Sequence, residues 1–307
     1  MFNQPLAPRE TQSLDSPVMT DSILTVNNLT KHFKDFTLKN VSFQLPRGYI
    51  MGFIGPNGAG KSTTIKLIMN LLRKDGGQIS VFGLDNLKYE LAVKNRTAFV
   101  FDENHYYEEL TLRKMGQIVA SFYKHWEPQT FDKYLKDFEL HSNKKIKELS
   151  KGMKMKFSLA VALSHGAELL IMDEPTAGLD PLVRSELLDI LATMIQDERK
   201  SVLFSTHITS DLDKIADFVT FIHHGEIVLS TSKDDILEKY GLVKGATDLL
   251  NEETKSLFLG IKTHNYGFEG LVRDKEMARH FFNERAVVEK PTLEDLLIYT
   301  ARGVQHD

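Results

Sequence analysis

Nine consecutive residues, Gly55-Pro56-Asn57-Gly58-Ala59-Gly60-Lys61-Ser62-Thr63, follow the spacing GxxxxGK(S/T). Each residue type has a use against a nucleotide. Glycines let backbone N–H groups curl around phosphate oxygens, Lys61 supplies a point charge to the β- and γ-phosphates, and Ser62 offers a hydroxyl to Mg2+. Gly55, Asn57, Gly58, Ala59, Gly60, Lys61, Ser62 and Thr63 are the candidate nucleotide contacts, with Lys61 also a candidate catalytic group.

Three further blocks follow in order. In Leu149-Ser150-Lys151-Gly152-Met153, Ser150 stands where a helix cap belongs and Gly152 in the first turn, so bare N–H groups and a positive helix end can face a γ-phosphate. An apolar run at 169–172 ends in Asp173-Glu174. Strand neighbours point to opposite sides, so Asp173 can hold the Mg2+ shell while Glu174 orients or deprotonates the attacking water. Last comes His207, after the apolar run 202–205, where a neutral imidazole could bridge the γ-phosphate and the base. Phe33 lies upstream of the loop and has two readings: a face for stacking on adenine, or a core side chain.

These groups need elements to hold them. An apolar strand at 48–54 runs into the glycine loop, and a helical run at 62–72 leaves it, ended by Asp75-Gly76-Gly77. Upstream, short alternations (Leu24, Val26; Phe36, Leu38; Val41, Phe43, Leu45) predict antiparallel strands. Between about 84 and 166, helical runs at 112–123, 128–138 and 153–163 predict a helical insertion. After it, apolar runs at 169–172, 202–205, 218–222 and 227–229 alternate with helices at 181–195 and 209–216, the first capped by Asp180 with Pro181 next. That alternation predicts an α/β fold with a largely parallel sheet covered on both faces. Residues 1–21, with Pro5, Pro8 and Pro17, read as a flexible leader or an added segment, Met19 being a plausible natural start; 22–240 form the nucleotide domain. A small α+β appendage fills 241–307, with Thr292 capping its last helix.

Composition excludes several chemistries. There is no cysteine among 307 residues, which removes disulfides, zinc–thiolate sites and thiol nucleophiles. A net charge of -4 argues against broad capture of nucleic acid. The cluster Lys144, Lys145, Lys147, Lys151, Lys154 and Lys156 reads either as a solvated surface or as a phosphate-facing patch. Mean hydropathy is -0.24, and no window approaches the roughly 18 consecutive apolar residues of a membrane span. The early residues lack the pattern of a secretory signal, so a cytoplasmic address is expected. His223-His224 before Gly225 reads as a turn rather than a metal site.

Together the blocks resemble the ATP-binding subunits of ABC transporters over residues 23–240, and look most like the ABC-2-type exporter branch of Gram-positive bacteria. The resemblance implies a P-loop NTPase core of ABC ATPase type, with an N-terminal antiparallel β subdomain, a helical subdomain and the C-terminal appendage. It implies ATP and Mg2+ as cofactors, and hydrolysis that powers export through a separate membrane-spanning permease from the inner face of the membrane. Glu174, His207 and Lys61 would carry turnover. Two such subunits, identical or paralogous, would meet head to tail, so that Ser150 and Gly152 of one chain close on ATP held by 55–63 of the other. Residues 177–180 match the family's D-loop.

Two positions depart from the family's pattern. Asp102, with Glu103 beside it, stands where a glutamine is expected; a carboxylate can ligate Mg2+ but cannot donate as an amide does. Lys151 and Met153 replace the commoner Gly and Gln, and Lys151 adds positive charge near the phosphate. Tyr106, Tyr107 and Trp126 fall where the family docks a partner helix, or else pack within the helical subdomain. Two competing functions are a soluble mechanical or regulatory ABC-type ATPase and a nucleotide-sensing module with little turnover. The single nucleotide module and acidic balance stand against the first, and the retained Glu174 and His207 against the second.

Overall fold

Apolar alternation from Ser22 produces β1 (Ser22–His32), paired antiparallel with β2 (Thr37–Pro46) so that Leu24 faces Leu45 and Val26 faces Phe43. The structure is a computed structural model; it describes residues 21–101 and 106–303. The leader 1–20 and Asp102 lie outside the described residues. Next, β3 (Ile50–Ile54) enters the glycine loop, and α1 (Lys61–Ile68) leaves it. Strands β4 (Gly76–Val81) and β5 (Leu84–Asp85) complete a four-stranded antiparallel sheet in the order β2-β1-β4-β5. The helix is shorter than the 62–72 pattern predicts. Asn70 takes a left-handed φ of 56°, and Asn86 Nδ2 donates to the Leu67 and Ile68 carbonyls at 3.1 and 2.9 Å, satisfying the helix end.

After α2 (Glu90–Arg96) and β6 (Thr97–Val100) come three helices, α3 (Leu112–Ala120), α4 (Pro128–Asp137) and α5 (Lys151–Leu163). The span 84–166 thus opens with two strands, and its helical bundle occupies 112–163. The chain returns through β7 (Leu169–Asp173), α6 (Pro181–Met194), β8 (Ser201–Thr206), α7 (Thr209–Ile215), β9 (Phe218–His223), β10 (Glu226–Ser232) and α8 (Lys233–Lys239). The central six-stranded sheet runs β10-β9-β3-β8-β7-β6, parallel except for the β9–β10 hairpin. Strands β3, β7 and β8 are buried at every position, as a sheet covered on both faces requires. One face packs Met51, Phe53 and Ile171 against Ile65 of α1 and Phe43 of the antiparallel sheet. The other packs Ile54 and Phe204 against Phe157, Leu191 and Leu212.

The β9–β10 hairpin ties the layers together. His224 and Gly225 both have positive φ, 45° and 81°, the mirror-image turn that suits twisted strands. Gly225 N donates to Ala59 O at 3.0 Å and its carbonyl accepts from Lys39 N at 2.8 Å, so the tip touches both the phosphate loop and the antiparallel sheet. A Cβ there would stand 2.0 Å from Thr37 O. Gly225→Ala is therefore expected to lower unfolding stability by about 1–3 kcal/mol from backbone strain alone, measured by urea denaturation; an unchanged midpoint would refute the fit.

The remaining chain forms β11 (Gly241–Gly245), α9 (Glu252–Lys255), β12 (Phe258–His264), β13 (Gly267–Val272), α10 (Lys275–Phe282), β14 (Ala286–Glu289) and α11 (Leu293–Gly303). Its antiparallel sheet runs β12-β13-β11-β14. One face packs Val243, Phe268 and Val272 against Ala278 and Phe282 of α10. On the other side, Leu242, Leu271, Leu293, Leu296 and Tyr299 join the core beneath the central sheet, and α11 lies against β12 and α7. Thr292 Oγ1 accepts from Asp295 N at 3.1 Å, the cap that the sequence predicts. Among the described residues, no helix is long and apolar enough to cross a membrane.

Candidate functional site

The loop 55–60 lies at the C-terminal end of β3, and α1 begins on Lys61. Asn57 and Gly58 are exposed, while Ser62 and Thr63 are half-buried. At Gly58, with φ 80°, an added Cβ would meet nothing within 4 Å, so the backbone arch is open where phosphate oxygens would enter. Lys61 is only 5% exposed. Its ammonium donates to Gly55 O at 2.7 Å and Pro56 O at 3.3 Å, folding the arch around its own cation.

Parallel neighbours bring the other groups to the same sheet edge, because β3, β8 and β7 are adjacent and in register. Glu174 Oε1 sits 3.0 Å from Lys61 Nζ yet takes no well-directed hydrogen bond; this contact is charge attraction. Glu174 Oε2 meets His207 Nδ1 at 2.8 Å and His207 N at 3.3 Å. An ionised carboxylate only accepts, so the ring proton sits on Nδ1. Lys61, Glu174 and His207 are thereby one connected group.

Asp173, buried at the end of β7, points elsewhere. Its Oδ1 accepts from Ser205 Oγ at 2.7 Å, and Ser205 Oγ in turn accepts from Glu174 N at 3.1 Å. The two carboxylates separate for a reason other than strand alternation: Glu174 lies one residue past β7 with a left-handed φ of 49°. Ser205, which orients both, was not among the sequence-derived candidates. Its signal was position alone, two residues before His207 on the strand beside Asp173.

Ser150 caps α5, its Oγ accepting from Met153 N at 3.2 Å, so the helix begins at Lys151, two residues earlier than the 153–163 pattern. Gly152 is buried, and a Cβ there would stand 2.7 Å from Val183 Cγ1 of α6. Within one chain its use is the close approach of two helices. Asp180 caps α6 through Leu182 N and Val183 N at 3.1 and 3.0 Å.

Phe33 is 43% exposed, which removes the core reading; its ring lies 6.3 Å from the Phe36 ring and carries the Lys31 ammonium over one face at 5.7 Å. Phe36, read from sequence only as a strand residue, is the ring that approaches the start of α1, with Cζ 3.0 Å from where a Gly60 Cβ would be. Tyr106 packs edge-on against Phe157, ring centroids 5.0 Å apart, and burial pushes its hydroxyl pKa up to about 12. Trp126 packs on Phe131 at 5.2 Å; Tyr107 alone of the three aromatics is exposed. The lysine cluster is largely paired with carboxylates: Lys145 and Lys147 with Glu109, Lys154 with Glu108, Lys156 with Glu186. Among the described residues no group of three or more His, Asp or Glu side chains could hold a metal, and His223 and His224 meet edge-on at a turn, ring centroids 4.1 Å apart.

A glycine loop with a buried lysine, a carboxylate pair and a histidine at one edge of a parallel sheet define a P-loop ATPase. The sequence model of the family described as "ABC transporter" matches residues 38–177. The chain is 33% identical to the "Lantibiotic transport ATP-binding protein SrtF" of Streptococcus pyogenes, over 69% of this chain and 92% of that protein. It is 32% identical to the "Bacitracin transport ATP-binding protein BcrA" of Bacillus licheniformis, over 67% and 69%. Among solved structures, an "ATP binding subunit of ABC transporter" superposes with a TM-score of 0.62 at 30% identity, covering 70% of this chain and 92% of that one. The chain belongs to the ATP-binding subunits of ABC transporters, ATPases whose hydrolysis of ATP is coupled to transport.

Proposed function

We propose that this chain powers export through a separate membrane-spanning permease, from the inner face of the cell membrane, by ATP-driven head-to-tail closure of two ATPase subunits, identical or paralogous. The observation that carries it is the placement of two half-sites. Lys61, Glu174 and His207 are joined by contacts of 2.8–3.0 Å, while Ser150 caps α5 on the helical bundle and Gly152 packs against Val183 of α6. A nucleotide on residues 55 and 57–63 of one subunit would meet Ser150 and Gly152 of the other, with Phe33 stacking on adenine.

The donors also suit Mg2+. Ser62 and Asp173 are hard oxygen ligands, and Asp102, outside the described residues, would be a third. A Mg2+ held by these residues would supply neutralisation of charge on the β- and γ-phosphates. Lys61 must leave Glu174 to reach those phosphates, which frees the carboxylate to take a proton from water. With Nδ1–H given to Glu174, His207 reaches a phosphate oxygen only through a second proton on Nε2.

Two similar proteins are named for bacitracin and lantibiotic transport, which supports a permease partner. The test is affinity purification of the full chain from gently solubilised host membranes, read by mass spectrometry. A multi-span protein in stoichiometric amount is expected. Recovery of ribosomes or soluble proteins alone from well-extracted membranes would favour the mechanical or regulatory ATPase instead.

A further inference from the structure

Asp211 on α7 is 1% exposed, and its carboxylate belongs to none of the groups above. Arg184, on the first turn of α6, reaches it: Nε binds Asp211 Oδ1, and Nη2 donates to Ser210 Oγ at 2.9 Å. Asp211 Oδ2 is buried with no hydrogen-bond partner among the described residues, so the carboxylate depends on Arg184 for its compensation. A buried half-satisfied ion pair is a poor device for stability, which directs attention to what it holds in place.

Two short segments leave the site, one from Glu174 and one from His207, and Arg184–Asp211 joins their far ends. From Glu174, turns fold the chain to α6: Ala177 N donates to Glu174 O at 3.1 Å, Leu179 N to Thr176 O at 3.2 Å, and Arg184 N to Asp180 O at 3.0 Å. From Thr206, Ile208 N donates to Thr206 Oγ1 at 2.9 Å, and Asp211 N to Ile208 O at 3.4 Å. Glu174–His207 and Arg184–Asp211 therefore close the two ends of one ring of chain. Fixing the spacing of α6 and α7 at one end fixes the carboxylate–imidazole separation at the other.

The geometry points to Arg184 as a positioning residue for hydrolysis, acting through Asp211 to hold His207 against Glu174. The inference rests on Glu174 and His207 carrying turnover. Arg184→Ala alone would strand a buried carboxylate and risk misfolding, so the informative variants are Arg184→Lys, which keeps the charge but loses the planar fork, and Arg184→Met/Asp211→Leu, which removes both charges. The readouts are kcat and KM for phosphate release by the full-length chain, with melting temperature and binding of a fluorescent ATP analogue alongside. The double variant is expected to stay folded and bind nucleotide with unchanged affinity and KM, while kcat falls about tenfold; Arg184→Lys falls by less. A folded double variant, or Arg184→Lys where the double does not fold, with kcat within twofold of the parent overturns the proposal, whatever its melting temperature. Glu174→Gln run in parallel separates the two layers: if it retains turnover, the base assignment fails and the positioning role with it, whereas its loss beside an active Arg184 variant refutes the positioning role alone.

Discussion

Phosphate release by the Glu174→Gln variant is expected to fall about 10²–10⁴-fold, the range for loss of a general base, while ATP stays bound. The amide keeps the shape of the side chain and can still meet His207, but it cannot accept a proton from water. It also releases Lys61, whose ammonium is 3.0 Å from Glu174 Oε1, so nucleotide affinity holds or rises. An ATP-bound pair of subunits should then accumulate, visible by light scattering on a sizing column. Turnover within tenfold of the parent would remove Glu174 as the base.

Lys61→Ala carries the second large effect. Removing a preorganised cation from a transition-state charge costs about 10²–10³ in rate, and here ground-state binding suffers too. The site loses its internal balance as well: the Gly55 carbonyl gives up a 2.7 Å hydrogen bond and Glu174 its counter-charge. Since a ligand that binds only the folded state raises its stability, the parent should melt higher with rising ATP and Mg2+. The variant should show almost none of that rise. A shift equal to the parent's would mean that the phosphates are held elsewhere.

The phosphate loop was legible because its chemistry is contiguous, nine residues flanked by an apolar strand and a helix. The carboxylates and His207 were legible one by one, but their convergence follows from β3, β8 and β7 being neighbours, which spacing alone does not dictate. Least legible were features set by distant partners. The left-handed turn at Glu174 and the orienting hydroxyl of Ser205 depend on a strand 32 positions from Asp173. The end of α1 depends on Asn86, and the approach of the Phe36 ring to the start of α1 on a Gly60 that carries no Cβ. Gly152 reads in the sequence as a ligand contact, and within the chain it packs tightly against Val183 of α6.

The C-terminal sheet has a consequence in time as well as in space. Helix α7, which follows His207 and carries Asp211, is covered on its outer side by α11, whose Leu293, Leu296 and Tyr299 lie in the same core as Leu212. A growing chain emerges N-terminal end first, so the phosphate loop and both carboxylates are made long before the helix that finishes the wall behind the histidine. Contacts of such long sequence separation are slow to form because the loop-closure entropy comes first. Assembly of the switch side of the site is therefore tied to synthesis of almost the entire described chain.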